Sequence, residues 1–123
     1  MLKLKRRDID EVVVVEMSGN LMGGPGHDRD DFHAFIKASL EEDKRLFVID
    51  LGKVAWANSL GVGMLIGALA SVRSAEGEMV LARLADRMKS IFITTQLTRI
   101  FQTFDSTDEA IQYLKQSKAA GAQ

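Results

Sequence analysis

Apolar and polar residues follow one another along the chain in patterns that predict strands and helices in turn. Short apolar or alternating runs are typical of strands, and apolar residues spaced three and four apart are typical of helices. The predicted strands cover residues 2–7, 12–19, 45–52, 78–84 and 99–104. The predicted helices cover residues 28–42, 59–76 and 86–94, and a fourth begins at residue 107. The third strand, "RLFVIDLG", is the most hydrophobic, so we expect it at the centre of the sheet.

This order of elements predicts the fold class. After two opening strands, helices and strands alternate, as they do in α/β folds whose neighbouring strands are parallel. We therefore expect an α/β domain with a mixed, mostly parallel sheet of about four to five strands and about four helices packed on it. We expect residues 1–116 to form this single domain. Residues 117–123, "SKAAGAQ", have nothing to bury, and we expect them to form a disordered tail.

The helix predicted after the third strand has no charged side chain before Arg73. It contains three glycines, and each interior glycine destabilises a helix by about 1 kcal/mol relative to alanine. Apolar spacing predicts that Val62, Leu65, Ile66 and Leu69 are buried. The predicted outward face then consists of apolar or very small residues: Leu60, Met64, Gly67, Ala68 and Ser71.

Two interpretations account for this uncharged outward face. In the first, another element of the chain or the second copy in a homodimer covers it. In the second, a different protein docks on it, since exposed apolar patches commonly mark interaction sites. Because each of the other predicted helices has one apolar side and one polar side, we favour docking of a different protein.

Ser59 is a candidate modification site at the start of this helix. A serine in this position commonly caps a helix, but Asn58 can cap it equally well, which would leave the Ser59 hydroxyl free. A phosphate on Ser59 would be stabilised by the helix N-terminus. It would place a charge of about −2 at the edge of the uncharged face. Phosphorylation would therefore change which partner docks without unfolding the domain.

Composition and charge exclude several classes of function. Sixteen basic and seventeen acidic residues give a net charge of −1, so nothing draws the whole chain to nucleic acid or to an anionic membrane. The chain has no cysteine, and therefore no disulfide or thiolate metal site. Residues 1–19 lack the features of a signal peptide, and residues 54–72 are amphipathic. We expect a cytoplasmic location without direct membrane insertion.

No arrangement of residues predicts catalysis, a cofactor or a metal site. Ser59 has no histidine or lysine placed by the sequence to activate it. His27 and His33 are spaced so that they lie on different sides of a helix. The loop Gly23–Gly26 matches no phosphate-binding motif. The basic residues of the first strand offer a contact patch, but they fit better with an edge strand that its charges keep soluble.

Several short motifs, in order and at the right spacing, make the chain resemble the STAS domain of bacterial anti-sigma factor antagonists. The resemblance runs from about Leu4 to Leu114 and covers "VVVVEMSGNL", "LFVIDLGKVAWANSLGVGML", "GEMVLARL", "LTRIF" and "FDSTDEAI". The strand-to-helix motif carries most weight. The family has an aromatic or aliphatic residue, a variable one, Asp or Asn, Ser, a small residue and Gly, and residues 56–61, "WANSLG", occupy those places.

The resemblance implies a partner-switching protein. In the family, the unphosphorylated domain binds an anti-sigma factor that is also a serine kinase, and this frees the sigma factor. The kinase phosphorylates the serine that matches Ser59, the complex dissociates, and a serine phosphatase restores the first state. The implied docking surface comprises the start and face of the helix and the loop after the second strand: Asn58, Leu60, Gly61, Gly63, Met64, Gly67, Met22, Gly23 and Gly24.

The chain departs from the family pattern at several positions. Asn58 stands where aspartate is common, Leu60 where a small or hydroxyl residue is usual, and Gln96 where many members have glycine. The loop after the second strand lacks the aspartate that often lies near the switch serine.

Two alternative functions stay open, because STAS domains also serve as accessory subunits of ABC-type membrane lipid transporters and in stressosome-type scaffolds.

Overall fold

Five strands form one mixed sheet in the computed structural model, which describes residues 2–22 and 28–121. The strands are β1 (Lys3–Ile9), β2 (Val12–Leu21), β3 (Leu46–Ala57), β4 (Glu78–Ala82) and β5 (Thr103–Phe104). They lie side by side in chain order; β1 and β2 are antiparallel, and all other neighbours are parallel. The predicted α/β class and the central position of the third strand are therefore confirmed.

Four α-helices cover the sheet unequally. They are α1 (Asp28–Glu41), α2 (Ser59–Ser74), α3 (Asp86–Thr94) and α4 (Thr107–Gly121). Buried residues of α1, α2 and α3 share one core cluster with one face of the sheet, whereas α4 packs alone on the other face. Successive strand residues point to opposite faces. The run Val12–Val15 is accordingly buried on both sides, as its β-branched sequence predicts.

Two strands differ most in length from the prediction. β3 continues past its predicted end at Gly52, because register shifts let it stay paired with β2 as far as Ala57. The predicted strand 99–104 is mostly wrong. Residues Leu97–Arg99 form a short 3₁₀-helix, and only Thr103 and Phe104 pair with β4.

α2 ends with a left-handed residue that is not glycine. Glu76, just before Gly77, adopts this conformation, with φ 65°. The N–H groups of Glu76 and Gly77 donate to the carbonyls of Arg73 and Val72, a Schellman arrangement. Glycine is needed at position 77 for space, because a Cβ there would lie 2.3 Å from the carbonyl oxygen of Arg45.

The structure continues α4 through Gly121, past the start of the predicted tail. Residues 122 and 123 lie outside the described residues, so the disorder of residues 117–123 stays a prediction. Within the described part of the chain, no helix is both long and apolar enough to cross a membrane.

Candidate functional site

Asn58 caps α2 and leaves the Ser59 hydroxyl free. Asn58 has an extended backbone, and its Oδ1 accepts a hydrogen bond from the Gly61 N–H at 2.8 Å. Ser59 is the first helical residue and is exposed. Its hydroxyl makes no hydrogen bond within the described residues. Of the two caps that the sequence allows, the structure shows Asn58.

Close contact with the end of β2 fixes the start of α2. The backbone N–H of Asn58 donates to the carbonyl of Leu21 at 3.2 Å. A Cβ built on Gly61 would lie 1.7 Å from the same carbonyl oxygen, so only glycine fits there. Gly61 is buried, and its role is to let α2 approach β2. The structure therefore gives Gly61 a packing role and does not offer it as a docking residue.

Large exposed apolar side chains lie around Ser59. Leu60 is 57% exposed, Trp56 45% and Met22 37%. The guanidinium of Arg87, in the first turn of α3, lies 5.5 Å from the centre of the Trp56 ring, a cation–π geometry. We call Met22, Trp56 and Leu60 the apolar rim. Aromatic and arginine side chains of this kind dominate the energetics of many protein interfaces.

The sequence does not predict that Trp56 and Arg87 lie at the docking surface. The available signal was the aromatic residue at the first place of the strand-to-helix motif. The contact with Arg87 could not be predicted, because α3 reaches Trp56 only through the packing of the folded chain.

The predicted orientation of α2 is wrong by about one residue. Met64 and Ala68 are buried rather than outward-facing, and Ile66 is exposed rather than buried. The buried side of α2 consists of Gly61, Met64, Leu65, Ala68, Leu69 and Val72. The exposed face, which we call the α2 face, consists of Leu60, Gly63, Ile66, Gly67 and Ala70. It is still free of charge, so the observation that raised the docking hypothesis survives the correction.

A shallow groove of about 300 Å³ runs between α1 and α2. Gly63 and Gly67 lie in its wall, and a Cβ on either would meet no atom within 4 Å. Unlike Gly61, these glycines are not required by packing inside the chain. The groove is lined by Arg29, Asp30, Phe32, His33, Gly63, Met64, Gly67 and Ala68.

Other candidate residues do not join this site. Gly23, Gly24 and His27 lie outside the described residues, so their roles stay predictions. Asp50 is buried and accepts hydrogen bonds from the Gly52 N–H and from Arg83, at 2.9 and 3.1 Å, so its carboxylate is held within the fold. Across residues 2–22 and 28–121, no group of three histidine, aspartate or glutamate side chains is placed to hold a metal ion.

Comparisons with known proteins agree with the fold. The family model for the STAS domain matches residues 3–110. BtrV of Bordetella bronchiseptica, named as an anti-sigma factor antagonist, is 23% identical over 93% of this chain and 96% of its own length. An anti-sigma factor antagonist from Mycobacterium paratuberculosis superposes with a TM-score of 0.77 at 21% identity, over 94% of this chain and 95% of the other.

Two further structures share this fold. The Bacillus cell fate determinant SpoIIAA in its phosphorylated form has a TM-score of 0.67 at 18% identity, over 90% of this chain and 98% of the other. A sulfate transporter family protein from Wolinella succinogenes has a TM-score of 0.75 at 19% identity, over 87% of both chains. These structural likenesses show the fold alone, whereas the family model covers most of the chain. The chain belongs to the STAS domain family.

Proposed function

We propose that this protein is an anti-sigma factor antagonist that changes partners when Ser59 is phosphorylated. The unphosphorylated form binds an anti-sigma factor with serine kinase activity, and the sigma factor is released. The kinase transfers the γ-phosphoryl group of ATP to the Ser59 hydroxyl oxygen, and the complex dissociates. A serine phosphatase hydrolyses the phosphoester. The antagonist itself catalyses neither step and acts by binding.

One observation carries the proposal: the exposed Ser59 hydroxyl makes no hydrogen bond in the described structure and lies beside the apolar rim. A kinase needs an accessible hydroxyl, and a serine that caps its own helix does not offer one. Asn58 takes over the cap, with its Oδ1 2.8 Å from the Gly61 nitrogen. Modification of Ser59 therefore removes no hydrogen bond on which the fold depends.

The same geometry accounts for a switch that leaves the fold intact. A phosphate at the first residue of α2 is stabilised by the free N–H groups of the helix N-terminus. Asn58 is uncharged and does not repel it. In a complex, however, a charge of about −2 would lie among apolar side chains that docking must remove from water. Phosphorylation would thus destabilise the complex but not the free protein.

Known relatives support this reading. BtrV bears the name of an anti-sigma factor antagonist, and SpoIIAA, which has the same fold, has a structure in a phosphorylated form. The fold also occurs in a sulfate transporter family protein, so the accessory-subunit alternative stays open. Identifying the protein that binds this chain would decide between that alternative and the proposal. The stressosome-type alternative is decided by the size of the assembly.

The proposal is tested with the purified chain and the anti-sigma factor kinase encoded by the same organism. Calorimetry should show binding to the wild type and to Ser59→Ala, and Ser59→Asp should weaken binding by at least about tenfold. Mass spectrometry after incubation with ATP should find phosphate on Ser59 in the wild type and none in Ser59→Ala. Ser74→Asp, which adds the same charge at the far end of α2, is the matched control.

Three outcomes would contradict the proposal. Equal weakening by Ser74→Asp would show an effect of net charge alone. Equal binding of wild type and Ser59→Asp to an ABC-type ATPase would favour the transporter subunit. A very large assembly that forms regardless of the Ser59 variant would favour a scaffold.

A further inference from the structure

The edge strand β1 displays three cations on one face. Lys3, Lys5 and Arg7 alternate along β1 and therefore point the same way. Their partners in β2 are on the α4 side of the sheet, because Ile9 and Val12, the next pair in this register, pack in the α4 core cluster. All three cations are exposed, and none forms an ion pair with another described residue.

Arg6, also on β1, differs from these three cations because it forms ion pairs within the fold. It points to the opposite face, where its guanidinium binds Asp8 at 2.8 Å and Glu42, at the end of α1, at 2.9 Å. The charge of Arg6 is thus used inside the fold to fasten β1 to α1. The three cations on the other face have no such role.

The positive surface extends from β1 across the neighbouring strands. Lys53 binds Glu16 at 2.9 Å, and Arg83 binds the buried Asp50. The Lys53 hydrogen bond holds the pKa of Glu16 below its ordinary value, and the charges of Lys5 and Arg83 act in the same direction. These cations therefore share one surface, on which they outnumber the carboxylates. We call it the basic sheet patch, and it comprises Lys3, Lys5, Arg7, Lys53 and Arg83.

The fold leaves both this patch and the edge beside it uncovered. α4 packs on the parts of β2 and β3 near Val12 and Val48, away from Glu16 and Lys53. β1 ends the sheet, and within the described residues no strand and no backbone hydrogen bond from a loop occupies its outer edge. Lysines on such an edge repel a second copy of the same strand. The same charges would attract a strand of opposite sign.

We propose that β1 and the basic sheet patch bind an acidic, extended segment of a protein partner, which adds to the sheet as a further strand. Alternate residues of a strand are about 6.6 Å apart. Carboxylates at alternate positions of the segment would therefore face Lys3, Lys5 and Arg7 as cross-strand pairs, while backbone hydrogen bonds supply affinity. The patch contains no aromatic side chain for stacking bases, which disfavours single-stranded nucleic acid.

This surface is separate from the one assigned to the switch. The α2 face lies on the side of the sheet that carries α1 and α3, whereas the patch lies on the α4 side. Binding of the acidic segment should therefore not depend on Ser59. A domain with both surfaces could hold a second protein while it exchanges the first.

The proposal is tested by NMR titration of the full isotope-labelled chain with a capped peptide, Thr-Glu-Val-Glu-Val-Glu-Thr. Shifts should concentrate on β1 amides, and affinity should fall at higher salt. The double variant Lys3→Glu, Lys5→Glu should weaken binding at least about tenfold. Lys3→Gln, Lys5→Gln, which adds no negative charge beside Glu16, should weaken it less while preserving the thermal midpoint. Ser59→Asp should bind as the wild type does.

Matched controls make the test decisive. The double variant Arg29→Glu, Lys37→Glu reverses two exposed cations on α1, the same total change of charge, and should leave binding unchanged. Equal weakening by this double variant, or equal binding of a peptide with glutamine in place of glutamate, would overturn the proposal. Tighter binding of the patch to a dT oligonucleotide or to phosphatidylserine vesicles would overturn it in favour of that ligand.

Discussion

At the scale of single residues, Asn58 has two separable properties, its hydrogen bond and its lack of charge. Replacing it by alanine removes the acceptor for the Gly61 N–H and should lower the free energy of unfolding by about 1 kcal/mol. Asn58→Asp keeps an acceptor and adds a negative charge at the helix N-terminus, so stability should be equal or higher. Urea unfolding measures both variants. An Asn58→Ala variant as stable as the wild type would show that the cap is dispensable.

Gly61 and Gly63 are neighbours with opposite structural requirements. A Cβ on Gly61 would collide with the Leu21 carbonyl at 1.7 Å, so Gly61→Ala should force β2 and α2 apart and destabilise the fold by about 1–3 kcal/mol. Gly63 has open space around it, so Gly63→Ala should stabilise by up to about 1 kcal/mol through helix propensity. Thermal and urea unfolding measure both variants, and each variant serves as the control for the other. Similar effects of the two changes would show that the Leu21 contact does not limit position 61.

At the scale of the elements, the sequence predicts the order of strands and helices well, because β2, β3 and β4 each contain a distinct apolar run and β1 begins with alternating residues. It predicts the rotation of α2 poorly. Apolar residues occur on all sides of α2, so more than one stripe fits the helical period. The contact between Gly61 and Leu21 selects the actual rotation, and that contact joins segments far apart in sequence. The prediction that Met64 is exposed is wrong because the sequence does not reveal this contact.

Left-handed backbone is a second property that the sequence conceals. Gln96, which stands where many family members have glycine, has φ 61°. Glu76 and Arg83 also have positive φ, although none of these three is a glycine. Glu76 and Gln96 each follow the last turn of a helix, α2 and α3, where a residue in this conformation commonly ends the helix. The short 3₁₀-helix that begins after Gln96 shows why the predicted strand 99–104 is shorter in the structure.

The α2 face yields a prediction that rests on the proposed function. Gly67→Leu should leave the free protein at least as stable as the wild type, because no atom lies within 4 Å of a Cβ at this position. The same side chain would obstruct the groove between α1 and α2, so affinity for the anti-sigma factor should fall at least about tenfold. Calorimetry and urea unfolding separate the two effects. Ser74→Leu is the control, and equal loss of affinity there would contradict a role for the groove.

At the scale of the whole molecule, net charge conceals how charge is distributed. The total of −1 argues against general attraction to polyanions. It gives no sign that Lys5, Lys53 and Arg83 gather around Glu16 on one side of the sheet. The alternation of cations along β1 can be read from the sequence. The sequence does not show which strands lie beside β1, or that α4 leaves half of its side of the sheet uncovered. Both features depend on the register of the sheet.

Charge also fastens the edge of the sheet to the rest of the molecule. Arg6 on β1 binds Asp8 and, across to the end of α1, Glu42. Hydrogen bonds from Arg6 hold the pKa values of both carboxyl groups below their ordinary range. Both carboxylates are largely exposed, so solvent weakens each pair. Together they still make the attachment of β1 to α1 dependent on pH.

The direction of that dependence follows from the lowered pKa values. The unfolded chain takes up protons on these carboxyl groups near pH 4, whereas the folded chain takes them up only at lower pH. The stabilisation is therefore fully present above about pH 5 and is lost as pH falls through the folded pKa values. Urea midpoints measured from pH 7 to pH 3 should fall, and Arg6→Gln should reduce the size of that fall. Arg29→Gln, whose nearest carboxylate oxygen is 4.0 Å away on Asp30, should follow the wild type. If Arg6→Gln and wild type lose stability in parallel, these two carboxylates do not govern the acid sensitivity of the fold.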